Sequence, residues 1–222
     1  MTQKKFSCNA VFFDLWDTLV SARAITWETQ QEMGLGNNSF RFFIQRFERA
    51  VMLKRFVSVE SFVRAGFAEF GLHPEKEKVK KIASMWRAHM KSTKLFPETL
   101  RVLKALKQKG FLLALVSNCQ FFGTRAMLKR LKLLRLFDSI QLSFENGLLK
   151  PNPRVFSRAL KALRLKPKQA IMVGDSRTDI IGAANAKMRG IIVQRKLRSK
   201  KYFKAVAAIG SLEELFSLLE RG

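Results

Sequence analysis

Four stretches of this 222-residue chain put reactive side chains where apolar runs end. FFDLWDTLV, residues 12–20, breaks a strand-like run with two carboxylates, Asp14 and Asp17, separated by Leu15 and Trp16. LALVSN, residues 113–118, closes on Ser117 and Asn118, and LLKPNPRVF, residues 148–156, carries Lys150 just before a proline-rich helix start. IMVGDSRTDIIGAANAKMRG, residues 171–190, ends its apolar run in Gly174-Asp175-Ser176, with Asp179 beyond. The set comprises a carboxylate nucleophile, a hydroxyl, a lysine and an acidic pair. Two or more carboxylates can hold Mg2+ through hard oxygen ligands, while Lys and Ser/Thr donors bind phosphoryl oxygens. The metal then offsets repulsion between an anionic substrate and Asp14. Phosphoryl transfer is the natural reaction class for such a set.

Those residues need elements that bring them together. Short runs rich in Val, Ile, Leu and Phe predict strands over 10–15, 111–117, 139–144, 170–174 and 190–194, with a weaker one at 205–209. Amphipathic stretches at 98–109, 124–133, 153–163 and 179–186 read as the helices between them. This alternation is the signature of a parallel α/β sheet, a Rossmann-like core in which ligands gather at the carboxyl ends of the strands. Residues 20–94 break the alternation. Helical periodicity over 26–33, 39–56, 59–70 and 75–89 predicts an all-helical insertion, punctuated by Gly34, Gly36, Gly71 and Pro74. The expected domains are therefore a core of 1–19 plus 95–222 and a helical unit of 20–94.

Global composition sets the boundaries of the reading. With 47% hydrophobic residues the chain can bury a substantial core. No apolar run approaches the roughly 18 residues that span a bilayer, so no membrane association is expected. Cys8 and Cys119 have neither metal-type spacing nor a disulfide framework, which fits a reducing, cytoplasmic setting. The net charge of +25 calls for a partner or an unusual interior milieu, and only Asp138, Glu145, Asp175 and Asp179 are acidic between residues 99 and 212. Such a field attracts polyanions, RNA included, and phosphorylated small molecules alike. The densest basic run, QRKLRSKKYFK at 194–204, reads first as a solvated face and second as a polyanion contact. Phe43, Phe47 and Phe56 recur at helical spacing and read as core rather than as a base-stacking platform.

In order and in position, the four stretches resemble the motifs of the haloacid dehalogenase superfamily of hydrolases, in its helical-cap branch, over essentially the whole chain. The resemblance implies that Asp14 is a nucleophile forming a covalent aspartyl intermediate, with Thr18 in the supporting turn. It implies that Ser117 and Lys150, beside Thr18 and Asn118, hold phosphoryl oxygens. Mg2+ would be ligated by Asp14, Asp175 and the backbone carbonyl of Trp16, with Asp179 orienting that shell. Residues 20–94 would be the cap that selects a small phosphorylated substrate.

One position departs from the family pattern. Phosphatases of the superfamily usually carry a second Asp two residues after the nucleophile, as acid and base, and here that position is Trp16. Asp17 comes one residue later, where Gly is common, and is expected to point elsewhere unless the turn is rearranged to make it the acid/base. General acid–base groups are worth about 10²–10⁴-fold, so alkyl phosphates should suffer while acyl and aryl phosphates stay accessible. Two alternatives follow: a low-turnover protein of this fold that binds RNA or a ribonucleoprotein through its basic surface, and a metal-independent 2-haloacid dehalogenase. Against the latter, Asp175 and Asp179 would repel a carboxylate substrate. Arg23, Arg41, Arg46, His73 and His89 of the helical unit carry no pattern placing one over Asp14, and each reads as a surface residue.

Overall fold

A computed structural model describes residues 5–21, 25–195 and 204–222. Its strands in chain order are β1 (Phe6–Cys8), β2 (Ala10–Phe13), β3 (Val20–Ser21), β4 (Lys94–Leu95), β5 (Leu112–Ser117), β6 (Ser139–Leu142), β7 (Ala170–Gly174), β8 (Arg189–Val193), β9 (Ala207–Ile209) and β10 (Leu219–Arg221). Six of them form one sheet in the order β6-β5-β2-β7-β8-β9, parallel throughout. The two-residue period of a strand sorts its side chains between the faces. Val11, Phe13, Leu113, Leu115, Ile171 and Val173 join one apolar cluster, and Ala10, Phe12, Ala114, Val116, Ala170 and Met172 join another. A sheet buried on both faces is what a parallel α/β core requires, and it explains why these strands read as continuous apolar runs.

The helices are α1 (Ile25–Glu32), α2 (Phe40–Val51), α3 (Val59–Glu69), α4 (Lys76–Ser92), α5 (Thr99–Gln108), α6 (Thr124–Arg130), α7 (Ser143–Asn146), α8 (Pro153–Leu163), α9 (Arg177–Asn185) and α10 (Leu215–Leu218). Helices α5, α6 and α10 pack on the first face through residues such as Leu103, Leu128 and Leu215, while α8 and α9 cover the second through Phe156 and Ala183. Among the described residues no helix is long and apolar enough to cross a membrane.

Helices α1 to α4 form a separate apolar cluster. Phe43, Phe47 and Val51 recur every four residues along α2, which puts them on one buried stripe. Phe62 and Trp86 meet edge to face with centroids 5.2 Å apart, and Trp86 donates from Nε1 to the Thr29 hydroxyl at 3.0 Å. The core reaches into this cluster through Phe122, whose ring lies 5.0 Å from that of Phe62. The antiparallel pair β3 and β4 stands where the chain enters and leaves the helical segment.

Several elements differ from expectation, among them the helix expected over 39–56, which ends at Val51. The strand expected to run to Phe144 stops at Leu142, because the Ser143 hydroxyl donates to the Met52 carbonyl at 2.7 Å and accepts from the Cys119 N–H at 3.0 Å, and a helical turn follows. Strands β1 and β10 pair in parallel, three residues each, too short for a periodicity signal. The basic run at 194–204 falls largely outside the described residues, from 196 to 203.

Candidate functional site

Strand β2 lies between β5 and β7, so the residues just past the carboxyl ends of these three strands share one place. Asp14 follows β2, and its N–H donates to the Val173 carbonyl at 3.0 Å, fixing the carboxylate against the end of β7. Asn118 follows β5, and Asp175 follows β7. Lys150 arrives from the loop before α8, where its N–H donates to Asn118 Oδ1 at 2.8 Å. Lys150 is 5% exposed, and its Nζ donates to Asp14 Oδ1 at 2.5 Å and to Asp179 Oδ1 at 2.6 Å.

Asp179 serves two partners with its two oxygens. While Oδ1 receives Lys150, Oδ2 accepts from the Ser176 N–H at 3.0 Å and the Ser176 hydroxyl at 2.6 Å, closing a capping box at the start of α9. The carboxylate is wholly buried and sits so close to Gly174 that a Cβ there would lie 2.4 Å from it. Glycine at 174 is what lets Asp179 turn under the strand end.

Asp14, Asp175 and Asp179 each offer an oxygen within 4.8 Å of the others. Burial, then the charges of Asp14, Asp179 and Asp17, pushes the Asp175 carboxyl up to about 9. Burial raises Asp14 to about 6, against the pull of Lys150. Burial also works against the Lys150 ammonium, but Asp14 and Asp179 outweigh it and hold the proton above the usual lysine value. One lysine thus faces three carboxylates. The excess of buried negative charge and the all-oxygen donor set fit a hard divalent cation.

A cavity of about 830 Å³ opens above this cluster, and Asp14, Trp16, Asp17, Asn118, Lys150 and Asp175 line it. Thr18, Ser117 and Asp179 do not border it. Thr18 is fully buried, and the Ser117 hydroxyl is engaged with the Asn118 carbonyl at 3.4 Å. Asp17 borders the cavity as well. Its backbone takes the left-handed conformation that glycine favours, with φ of 54°, which a short Asp tolerates, and its N–H donates to Val20 O at 2.8 Å to close the turn.

Other wall residues were not marked as site residues by the sequence. Glu48 reaches in from α2 and accepts from Asn118 Nδ2 at 3.1 Å, and burial raises its carboxyl to about 7. His89, expected on the surface, is 4% exposed and packs its ring 5.3 Å from that of Trp16. Arg195, the first cation of the basic run, is not a solvated side chain: it lies 3.5 Å over the Phe96 ring, donates to Glu98 Oε1 at 2.6 Å and to the Thr18 carbonyl at 2.7 Å. Arg41, Arg46 and His73 do not line the cavity, and Arg23 lies outside the described residues.

A family model described as haloacid dehalogenase-like hydrolase matches residues 11–193. A glyceraldehyde 3-phosphate phosphatase of Methanothermobacter thermautotrophicus is 40% identical over 103 residues, covering 46% of each chain. A phosphoserine phosphatase of Thermus thermophilus is 31% identical over 159 residues, covering 71% of this chain and 63% of the relative. The chain thus spans between about half and two thirds of the length of these curated relatives. Among solved structures, a dehalogenase with an intermediate complex superposes with a TM-score of 0.72 at 21% identity, covering 98% of this chain and 99% of that one, a likeness of fold alone.

Proposed function

Starting from the membership of this chain in the haloacid dehalogenase-like hydrolase family, we propose that it is a Mg2+-dependent phosphatase that acts on a small phosphorylated molecule through an aspartyl phosphate on Asp14. The observation that carries the reading is the convergence of Asp14, Asp175 and Asp179 within 4.8 Å around buried Lys150. In this reading an Asp14 oxygen attacks phosphorus, and the ester oxygen leaves with the electron pair of the broken P–O bond. The Lys150 ammonium, fixed in place by two carboxylates, stabilises the negative charge on the phosphoryl oxygens. Asp14, Asp175 and the Trp16 carbonyl would hold Mg2+, with Asp179 orienting the shell. When bound, the cation supplies the positive charge that lets an anionic phosphate approach these carboxylates.

Trp16 offers no proton at the position where a phosphatase of this family ordinarily has an acid, so leaving groups that depart without one are favoured. Asp17 at the cavity edge is the rival acid/base. The four-helix segment within 20–94 acts as a cap over a core of 1–19 and 95–222, a division supported by its own apolar cluster. Two buried, unpaired cysteines support a reducing, cytoplasmic setting.

The dehalogenase alternative is disfavoured by the charge of the site, since Asp175, Asp179 and Glu48 would all oppose the carboxylate of a 2-haloacid. The RNA-binding alternative rests on the +25 charge, and it gains nothing from the cavity, whose lining carries more acids than bases.

Acetyl phosphate with Mg2+ tests the reading. The expected result is a phosphorylated chain by intact mass that disappears in Asp14→Asn. No adduct and no turnover with acyl or aryl phosphates would overturn it.

A further inference from the structure

Ile25, Trp27, Phe40, Ile44 and Met52 give the helical side of the cavity an apolar surface, with Thr26 and His89 among them. Against them, in a protein of net charge +25, the lining carries four carboxyls, Asp14, Asp17, Glu48 and Asp175, and two strong bases, Lys150 and Arg195. Both bases are already engaged. Lys150 is bonded to Asp14 and Asp179, and Arg195 to Glu98 and the Thr18 carbonyl. Of the four carboxyls, Asp14, Asp17 and Asp175 come from the strand ends and the adjoining turn, while Glu48 alone comes from the helical side. It is held there by the Asn118 amide at 3.1 Å.

A substrate that seats its phosphoryl group on Asp14 must lay its leaving group along these walls. An uncharged apolar or aromatic group buries surface there. A second anionic group meets the Glu48 carboxylate, while the Lys150 ammonium is paired with Asp14 and Asp179 and the Arg195 guanidinium with Glu98. We propose that Glu48 is a specificity-determining residue that excludes leaving groups carrying a second negative charge, so that the substrate is a monophosphate of an uncharged, largely apolar leaving group that departs without a proton, such as a phenol. The proposal rests on the phosphatase reading above for the direction in which the substrate lies.

Two phosphonates of matched shape test it, para-carbamoylbenzyl phosphonate and para-carboxybenzyl phosphonate. Neither can be hydrolysed, so binding is read apart from turnover. With the full chain, Mg2+ and mildly alkaline buffer, calorimetry should give the neutral probe about tenfold tighter binding, as like-charge opposition in a partly desolvated site predicts. Glu48→Gln keeps an acceptor for Asn118 and removes the charge. It should narrow the gap to about threefold or less, chiefly by tightening the carboxylate probe, whereas a merely structural role for Glu48 would weaken both probes together. Equal binding of the two probes by the unaltered protein, an unchanged ratio in Glu48→Gln, or no binding of either would each overturn the proposal.

The corresponding phosphate esters, assayed in parallel, separate it from the reading beneath it. The expected binding ratio without hydrolysis of any ester keeps the charge filter and removes the phosphatase. Hydrolysis of both esters with equal efficiency removes the filter and keeps the phosphatase.

Discussion

At and beneath the floor of the cavity, Asp14, Lys150 and Asp179 are buried charged groups joined by bonds of 2.5 and 2.6 Å, placed by a strand end, the loop before α8 and a helix cap. In the wall, Trp27 and Phe40 are aromatic side chains still 51% and 41% exposed, carried on helices α1 and α2. Buried charges tolerate little displacement, because each relies on its partner to offset a desolvation cost of several kcal/mol. Apolar walls are forgiving, since their contribution scales with area removed from water and has no direction. Chemistry and selectivity are thereby divided between two constructions, and substitutions in each should fail in different ways.

The largest effect belongs to the floor. Lys150→Met leaves Asp14 and Asp179 facing each other without their cation, and without added metal it should cost about 3–5 kcal/mol of stability. Urea unfolding in EDTA measures this, and a loss under about 1 kcal/mol would mean that the floor is as forgiving as the wall. Next comes Trp16, where floor and wall meet. Trp16→Asp should raise kcat/KM for alkyl phosphates by about 10²-fold while changing aryl phosphates far less. If the unaltered protein already turns over alkyl phosphates well and Asp17→Asn cripples it, then Asp17 holds the acid/base role.

The third prediction uses the raised carboxyls of the floor. A carboxyl whose pKa rises on folding binds its proton more tightly in the native state, so stability falls as pH rises between the unfolded and folded values. For Asp175 that window runs from 3.8 to about 9, and Asp14 adds to it up to about 6. In EDTA the melting temperature should therefore drop by about 5 °C or so between mildly acidic and mildly alkaline buffer. Mg2+ should recover more of it at the alkaline end, where the carboxyls are free to bind metal. A melting temperature that climbs with pH across the window would contradict this account of the floor. The smallest effect belongs to the wall alone: Trp27→Ala should raise KM for an aryl phosphate about threefold and leave kcat nearly unchanged, the signature of lost uniform binding.

The two regions also differ in how far they could be read from sequence. Strand ends announce themselves, because an apolar run must stop where the chain leaves the sheet, and Asp14, Ser117 and Asp175 each mark such a stop. The order of β5, β2 and β7 then brings those positions together. Glu48 carried no comparable mark. It occupies a polar position in an ordinary amphipathic helix, and its partner Asn118 is 70 residues away. Arg195 was obscured in the opposite manner, by belonging to a basic run whose commonest fate is solvation, although its own guanidinium stacks on Phe96 and pairs with Glu98. His89 shows the same limit. With no pattern to mark it, it read as a surface residue, and the tertiary packing sets its ring against Trp16.

The side chain of Asn118 has one acceptor end and one donor end, and both are used. The oxygen receives the Lys150 N–H at 2.8 Å, and the nitrogen points to Glu48 at 3.1 Å. The amide is therefore polarised in a fixed sense and cannot be flipped without opposing two donors on one side and two acceptors on the other. An aspartate of nearly identical shape would keep the bond to Lys150 but would set a carboxylate against Glu48. Exchange of a single NH2 for an oxygen at this one position would turn a bond between strand end and helix into a repulsion, with every other atom of both regions left in place.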